Sequence, residues 1–146
     1  MVVFPTASTA LACAVAMQQA TELDNRTRDV PFGLRVGLSA GEVVDEDGDY
    51  FGDPVVESAR LCARCDSGQV LATDVVRLMA GRRNPYPCEP LGELELKGLP
   101  SPVAAVEVRW EPVPSTETAH RVPLPTRLRA RPRGGLIGRS GETAST

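Results

Sequence analysis

Gly48-Asp49-Tyr50-Phe51-Gly52-Asp53-Pro54-Val55-Val56-Glu57-Ser58-Ala59-Arg60-Leu61 is the stretch on which the fold reading turns. It follows an acidic turn, Asp45 to Asp49, and changes character at Pro54. Asp53 is a good helix N-cap, and proline is favoured at the first helical position because its missing N–H has no helical partner there. The predicted helix puts Val55, Ala59 and Cys62 on one face and ends before Gly68. Gln69-Val70-Leu71-Ala72 then reads as a short strand. Thr73 caps a further helix through Ala80, stopped by Gly81.

Upstream, Leu34–Leu38 and Gly41–Val44 read as two strands, with Ser39-Ala40-Gly41 as a bulge or tight bend. Asp24 to Pro31 is turn-like. Before it, Leu11 and Val15, with Ala10, Ala14 and Met17, form a helical stripe capped by Thr6 or Ser8 and running to about Glu22. Met1–Phe4 is β-branched and aromatic and predicts a strand. Downstream, Leu91–Leu96 and Val103–Trp110 are two more strands, joined by Lys97-Gly98-Leu99-Pro100-Ser101-Pro102. Strands and helices alternating in this way predict an α+β domain over residues 1–110.

Composition bounds the rest. The 146 residues suffice for one compact domain, and with 42% hydrophobic but only 4% aromatic residues the core must be built from Val, Leu and Ala. Residues 121–146 hold six Arg against one Glu, whereas residues 1–120 carry eighteen acidic and ten basic side chains. So acidic a domain disfavours nucleic acid as a partner. No apolar run is long enough for a membrane span, and Met1–Ala20 lacks the positive start of a signal peptide. A cytoplasmic location is expected, which suits four cysteines without a disulfide framework. Residues 111–146, rich in Pro, Thr and Arg without periodicity, read as a linker or disordered tail.

Four segments taken together carry a resemblance. They are Leu34–Val44, Gly48–Leu61, Gly68–Ala72 and Leu91–Gly98. In this order and spacing the chain resembles the catalytic domain of class III adenylate/guanylate cyclases over about residues 1–110. The resemblance implies a truncated ferredoxin-like α+β nucleotidyl cyclase domain with a disordered C-terminal tail. It implies a reaction from ATP or GTP to the 3′,5′-cyclic nucleotide and pyrophosphate, using Mg or Mn. It implies a homodimer, or a heterodimer with another cyclase-type domain, with active sites at the interface.

By the same resemblance Asp49 is the base-reading acidic residue, which favours ATP over GTP because a carboxylate accepts from the exocyclic amine of adenine. Arg60 is the transition-state arginine, whose guanidinium offsets charge developing on phosphoryl oxygens. Lys97 is the phosphate-binding lysine, and it is the only Lys in the chain. Two departures stand out. The family's asparagine, four residues before the arginine, is here Val56, which has no hydrogen-bonding group. The metal-binding aspartates fall ahead of Met1–Phe4 in the family's order, and none of Asp24, Asp29, Asp45 or Asp53 matches one. The resemblance thus implies a C-terminal portion that is inactive alone, that serves as a non-catalytic interaction module, or that completes a site with an intact chain.

Two further motifs receive bland readings. Cys62-Ala63-Arg64-Cys65 lies within a predicted helix with no second pair at zinc spacing, so both cysteines read as small packing residues. His120 stands alone in the tail. The segment Val122–Glu142 resembles the lead-in to a signalling ATPase module, but no G-x-x-x-x-G-K-[ST] follows it.

Overall fold

The computed structural model describes residues 1–115. The linker expected from residue 111, His120 and the ATPase-like segment lie wholly or mostly outside the described residues. The compact unit spans Met1–Val113. None of the described helices is long and apolar enough to cross a membrane.

Helix α1 (Ala7–Asn25) starts at Thr6, whose Oγ1 accepts from the Thr9 N–H at 3.2 Å. It buries Leu11, Ala14, Val15 and Gln18, one stripe at helical spacing. Strand β1 (Val36–Leu38) follows, then the hairpin strands β2 (Val44–Glu46) and β3 (Asp49–Phe51). Helix α2 (Asp53–Arg64), strand β4 (Val70–Thr73), helix α3 (Asp74–Ala80) and strands β5 (Cys88–Leu94) and β6 (Val103–Val108) complete the order. The main sheet runs β1-β4-β6-β5, with β1 and β4 parallel and the other pairs antiparallel.

Strand β4 is central, and all four of its residues are buried. A strand covered on both faces must be apolar throughout, unlike the alternating pattern of a half-exposed one. Val70 and Ala72 pack with Leu11, Val15 and Val76 from α1 and α3. Leu71 packs the other way, with Leu61 and Cys65 of α2 and with Leu96 and Ala105. The sheet therefore has helices on both faces. Buried Gln18 closes the first layer: its amide donates to Leu34 O at 3.0 Å and to Gln69 O at 3.1 Å, where the chain enters β1 and β4.

Several local expectations are corrected. Met1–Phe4 is not a strand. No neighbour pairs with it, and Val2 is 73% exposed. β-Branched residues favour a strand through packing, and packing partners are lacking there. The acidic turn is a β-hairpin. Asp47 (φ 54°) and Gly48 (φ 87°) both take positive φ, as a two-residue type I′ loop requires, and Asp45 Oδ1 accepts the Gly48 N–H at 3.0 Å. Val44 thereby starts β2, and Gly41–Val43 stay outside any strand.

Helix α2 is capped by Gly52 and not by Asp53, whose carboxylate lies in the first turn, where negative charge suits the helix dipole. Its inward face is Leu61 and Cys65, while Ala59 is exposed. The apolar positions alone do not mark the inward stripe, because α2 meets β1 through its own main chain at Ser58 and Cys62, with the Ser58 hydroxyl donating back to Val55 O at 3.0 Å.

Cys62 and Cys65 pack as expected. Their thiols reach Arg35 O (3.4 Å) and Val36 O (3.2 Å), and both are free. Burial pushes the Cys65 thiol pKa above its ordinary value, which favours the neutral, unreactive form.

Gly37 sets the distance between α2 and β1. A Cβ there would lie 2.2 Å from Ser58 O and 2.4 Å from Cys62 N, both backbone atoms of α2. Gly37→Ala is expected to destabilise the chain by about 3 kcal/mol, the upper end for overpacking, because neither neighbour is a side chain that can swing away. Urea unfolding checks this, and an unchanged midpoint would show that helix and strand do not meet there.

Candidate functional site

Leu61 and Leu96 bury in one cluster, at 0% and 5% exposure. The residues beside them in sequence, Arg60 and Lys97, consequently emerge at the same rim of the domain. Lys97 sits in a turn closed by the Leu99 N–H donating to Leu96 O at 3.2 Å. Gly98 follows with φ 85°, the left-handed conformation that glycine adopts without steric cost. The Arg60 side chain lies over this turn. Its Nη2 is 3.8 Å from the point where a Gly98 Cβ would stand. One turn further along α2, Arg64 Nη1 donates to Glu95 O at 3.3 Å, tying the helix to the same loop.

Both Arg60 and Lys97 are exposed. Neither makes an ion pair or a side-chain hydrogen bond among the described residues. Arg26 pairs with Glu22, Arg28 with Asp24, Arg77 with Asp74 and Arg109 with Glu89, whereas Arg35, Arg64, Arg82 and Arg83, like Arg60, make no ion pair among the described residues. The Asp74 and Glu89 carboxyls are held below their ordinary pKa by the hydrogen bond from their arginines. A depression of about 430 Å³ opens along the loop, lined by Glu95, Leu96, Lys97, Leu99 and residues 100–102. Two unpaired cations from distant parts of the chain, beside an open depression, can take an anion with several charged oxygens.

The third predicted residue is placed differently. Asp49 opens β3, opposite Glu46 in the two-stranded hairpin, and its side chain makes no hydrogen bond among the described residues. No described contact joins it to Arg60 or Lys97. Val56 is 39% exposed and lies one turn before Arg60 on α2, so it presents an apolar surface next to that guanidinium.

Sequence reasoning missed Glu57. Ser39 Oγ donates a short hydrogen bond to its carboxylate and lies 3.5 Å from Thr73 Oγ1. This joins α2 to the C-terminal ends of parallel strands β1 and β4. The only signal was a serine just past an apolar strand, which any turn could supply.

A pair of divalent cations needs convergent carboxylates. Among the described residues no three His, Cys, Asp or Glu side chains converge as a metal ion would need. Asp24 and Asp74 are engaged by arginines, and Asp45 accepts from a turn N–H. The described residues do not fit such a pair.

No family model matches the chain. A Rhizobium meliloti protein named "Putative adenylate cyclase 3" is 36% identical over 105 residues, which are 70% of this chain and 18% of that protein. An uncharacterized Mycobacterium tuberculosis protein is 42% identical over 79 residues, 54% of this chain and 20% of its own length. The chain therefore spans about a fifth of these relatives. The crystal structure of an adenylate/guanylate cyclase/hydrolase from Silicibacter pomeroyi superposes with a TM-score of 0.65 at 34% identity, covering 72% of this chain and 63% of that one. The guanylyl cyclase Cya2 shares the fold, with a TM-score of 0.59 at 23% identity. By sequence and by fold together, the described domain is a class III adenylate/guanylate cyclase-type domain.

Proposed function

We propose that this domain is a nucleoside-triphosphate-binding member of the cyclase type that does not cyclise its nucleotide alone. The observation that carries the reading is the placement of Arg60 over the Lys97–Gly98 turn. These residues are far apart in sequence, and Arg60 and Lys97 carry no counter-charge among the described residues. They form a ready site for the phosphates of ATP, with Lys97 as a mobile point charge and Arg60 as a planar donor fork.

Asp49 reads the base in this proposal. As a carboxylate it accepts from the adenine amine, so ATP is favoured over GTP. The hairpin that carries it must come to the nucleotide from outside the Arg60–Lys97 pair.

Inactivity alone follows from Val56. A side chain one turn before Arg60 is well placed to orient a ribose or to hydrogen-bond the transition state, and valine can do neither. Removing a hydrogen-bond donor aimed at developing charge costs about a hundredfold to a thousandfold in rate. The described residues also offer no carboxylate pair for Mg or Mn.

A second reading has its own observation. The cross-strand pair Val44 and Phe51 leaves both side chains 53% exposed, on a two-stranded hairpin that stands apart from the main sheet. Isolated hairpins are marginal, and apolar cross-strand pairs gain by being covered. A partner domain of the cyclase type, identical or not, would cover this pair, and Arg60 and Lys97 could complete its site.

Purified full-length chain with ATP and Mg²⁺ or Mn²⁺ is expected to give no cyclic AMP above a no-protein blank. Turnover that disappears in Lys97→Ala would overturn the proposal of inactivity alone. Mixed with an intact homologue whose own arginine and asparagine are mutated, the chain is expected to restore measurable cyclase activity. Val56→Asn should raise it about tenfold or more, by returning a polar side chain one turn before Arg60. No restoration by either form would exclude the half-site role.

A further inference from the structure

We propose that Arg64 is a third polyphosphate-binding residue, which completes with Arg60 and Lys97 a cradle for a chain of two or three phosphates. The inference deepens the nucleotide-binding reading above and rests on it for the identity of the nucleotide. The anion site itself stands on geometry.

Arg60 and Arg64 are four residues apart on α2 and share one stripe, about 6 Å apart along the axis. Like charges at that spacing repel. Each could be offset by an acid on the facing loop, yet no carboxylate comes within 4 Å of Arg60, Arg64 or Lys97 among the described residues. Arg35, Arg82 and Arg83 are unpaired among the described residues too, so what distinguishes these three cations is their gathering around one loop. The nearest acid in the loop, Glu95, turns its main-chain carbonyl to Arg64 and leaves its side chain exposed.

The bond to Glu95 O uses one of the five guanidinium donors. The others have no protein partner among the described residues. That single bond also has a positional effect, since Glu95 is two residues before Lys97. Arg64 thus holds the loop that carries the lysine while keeping donors for a ligand. The scaffold behind all three cations is rigid: Leu61, Cys65 and Leu96 are each at most 5% exposed and belong to one cluster. The main chain that carries the charges is thus placed before any ligand arrives, while the exposed Arg60 and Lys97 side chains order on binding.

The shape selects a compact polyanion. Two guanidinium forks one helical turn apart, with an ammonium on the adjoining turn, match several charged oxygens on one short chain. A single phosphate can satisfy only part of the set. Helix-dipole complementarity at the end of α2 also accounts for a cation at Arg64. It does not account for the convergence of Lys97 and Arg60 on the same rim.

The test is calorimetric titration of the full 146-residue chain with sodium tripolyphosphate, without added metal. Arg64→Gln removes the charge and keeps a polar amide, though one too short to make the bond that Nη1 makes to Glu95 O. It is expected to weaken tripolyphosphate binding about tenfold, the loss of one charge-assisted hydrogen bond, with an unchanged melting midpoint. Arg64→Lys is expected to retain most of the affinity, and Arg82→Gln, an exposed cation outside the cradle, all of it. Orthophosphate should bind at least about tenfold more weakly than tripolyphosphate. Unchanged affinity in Arg64→Gln, an equal loss in Arg82→Gln, or no binding by the wild type would overturn the cradle. If tripolyphosphate behaves as expected but ATP gains nothing over it, the cradle stands and the nucleotide reading fails.

Discussion

The close approach of α2 to β1 at Gly37 is the constraint on which the rest depends. With no Cβ between them, the helix backbone at Ser58 and Cys62 lies directly on the strand. That contact sets the depth to which Leu61 and Cys65 enter the core. It brings the Cys62 and Cys65 thiols to the β1 carbonyls. It also sets the height at which Arg60 and Arg64 leave the surface. A side chain at residue 37 would lift the helix, and the cations would no longer meet the loop at Lys97.

The loop has the matching constraint. Leu96 is anchored in the cluster that holds Leu61, and the turn after it closes on Leu99. Two buried leucines, neither of them chemical, thus decide where a guanidinium and an ammonium stand. Electrostatics act on that frame. What sets the rim at α2 apart is that Arg60, Arg64 and Lys97 gather around one loop with no ion pair among the described residues. A cluster of unpaired like charges is unfavourable until an anion arrives, and this is the physical ground on which we propose the rim as a binding site. Val56 marks the limit of the same surface: it lies where a polar group would serve chemistry and offers only methyl groups.

Helix caps, glycine stops and the short strand after Gly68 were legible in the chain. Thr6, Thr73 and Gly81 mark helix ends, and the run at Val70–Ala72 marks a strand whose burial on both sides only the fold supplies. Arg60 and Lys97 were singled out through family resemblance, but their closeness was not legible. It depends on Leu61 and Leu96 sharing a cluster, and pairing between distant apolar residues leaves no local signal. Met1–Phe4 shows the converse case: strong strand propensity with no neighbour yields no strand. The stripe of α2 was misjudged because the helix meets β1 at Gly37 through main-chain atoms of Ser58 and Cys62, a contact that leaves no apolar period in the sequence. Gln18 and Glu57 escaped notice because buried polar residues are recognised by their partners, which only the fold supplies. The Asp47-Gly48 hairpin was within reach, since an Asp-Gly pair is a strong turn signal, but the charge run around it read as a loop.

The central claim is that Arg60 and Lys97 act on one bound ligand because the fold brings them together. A double-mutant cycle on ATP binding tests it most directly, using wild type, Arg60→Ala, Lys97→Ala and the double variant of the full chain. The account predicts coupling: the double variant should lose less than the two single losses combined, since both cations grip the same phosphates. Strictly additive losses, or ATP affinity unaltered by either substitution, would contradict it.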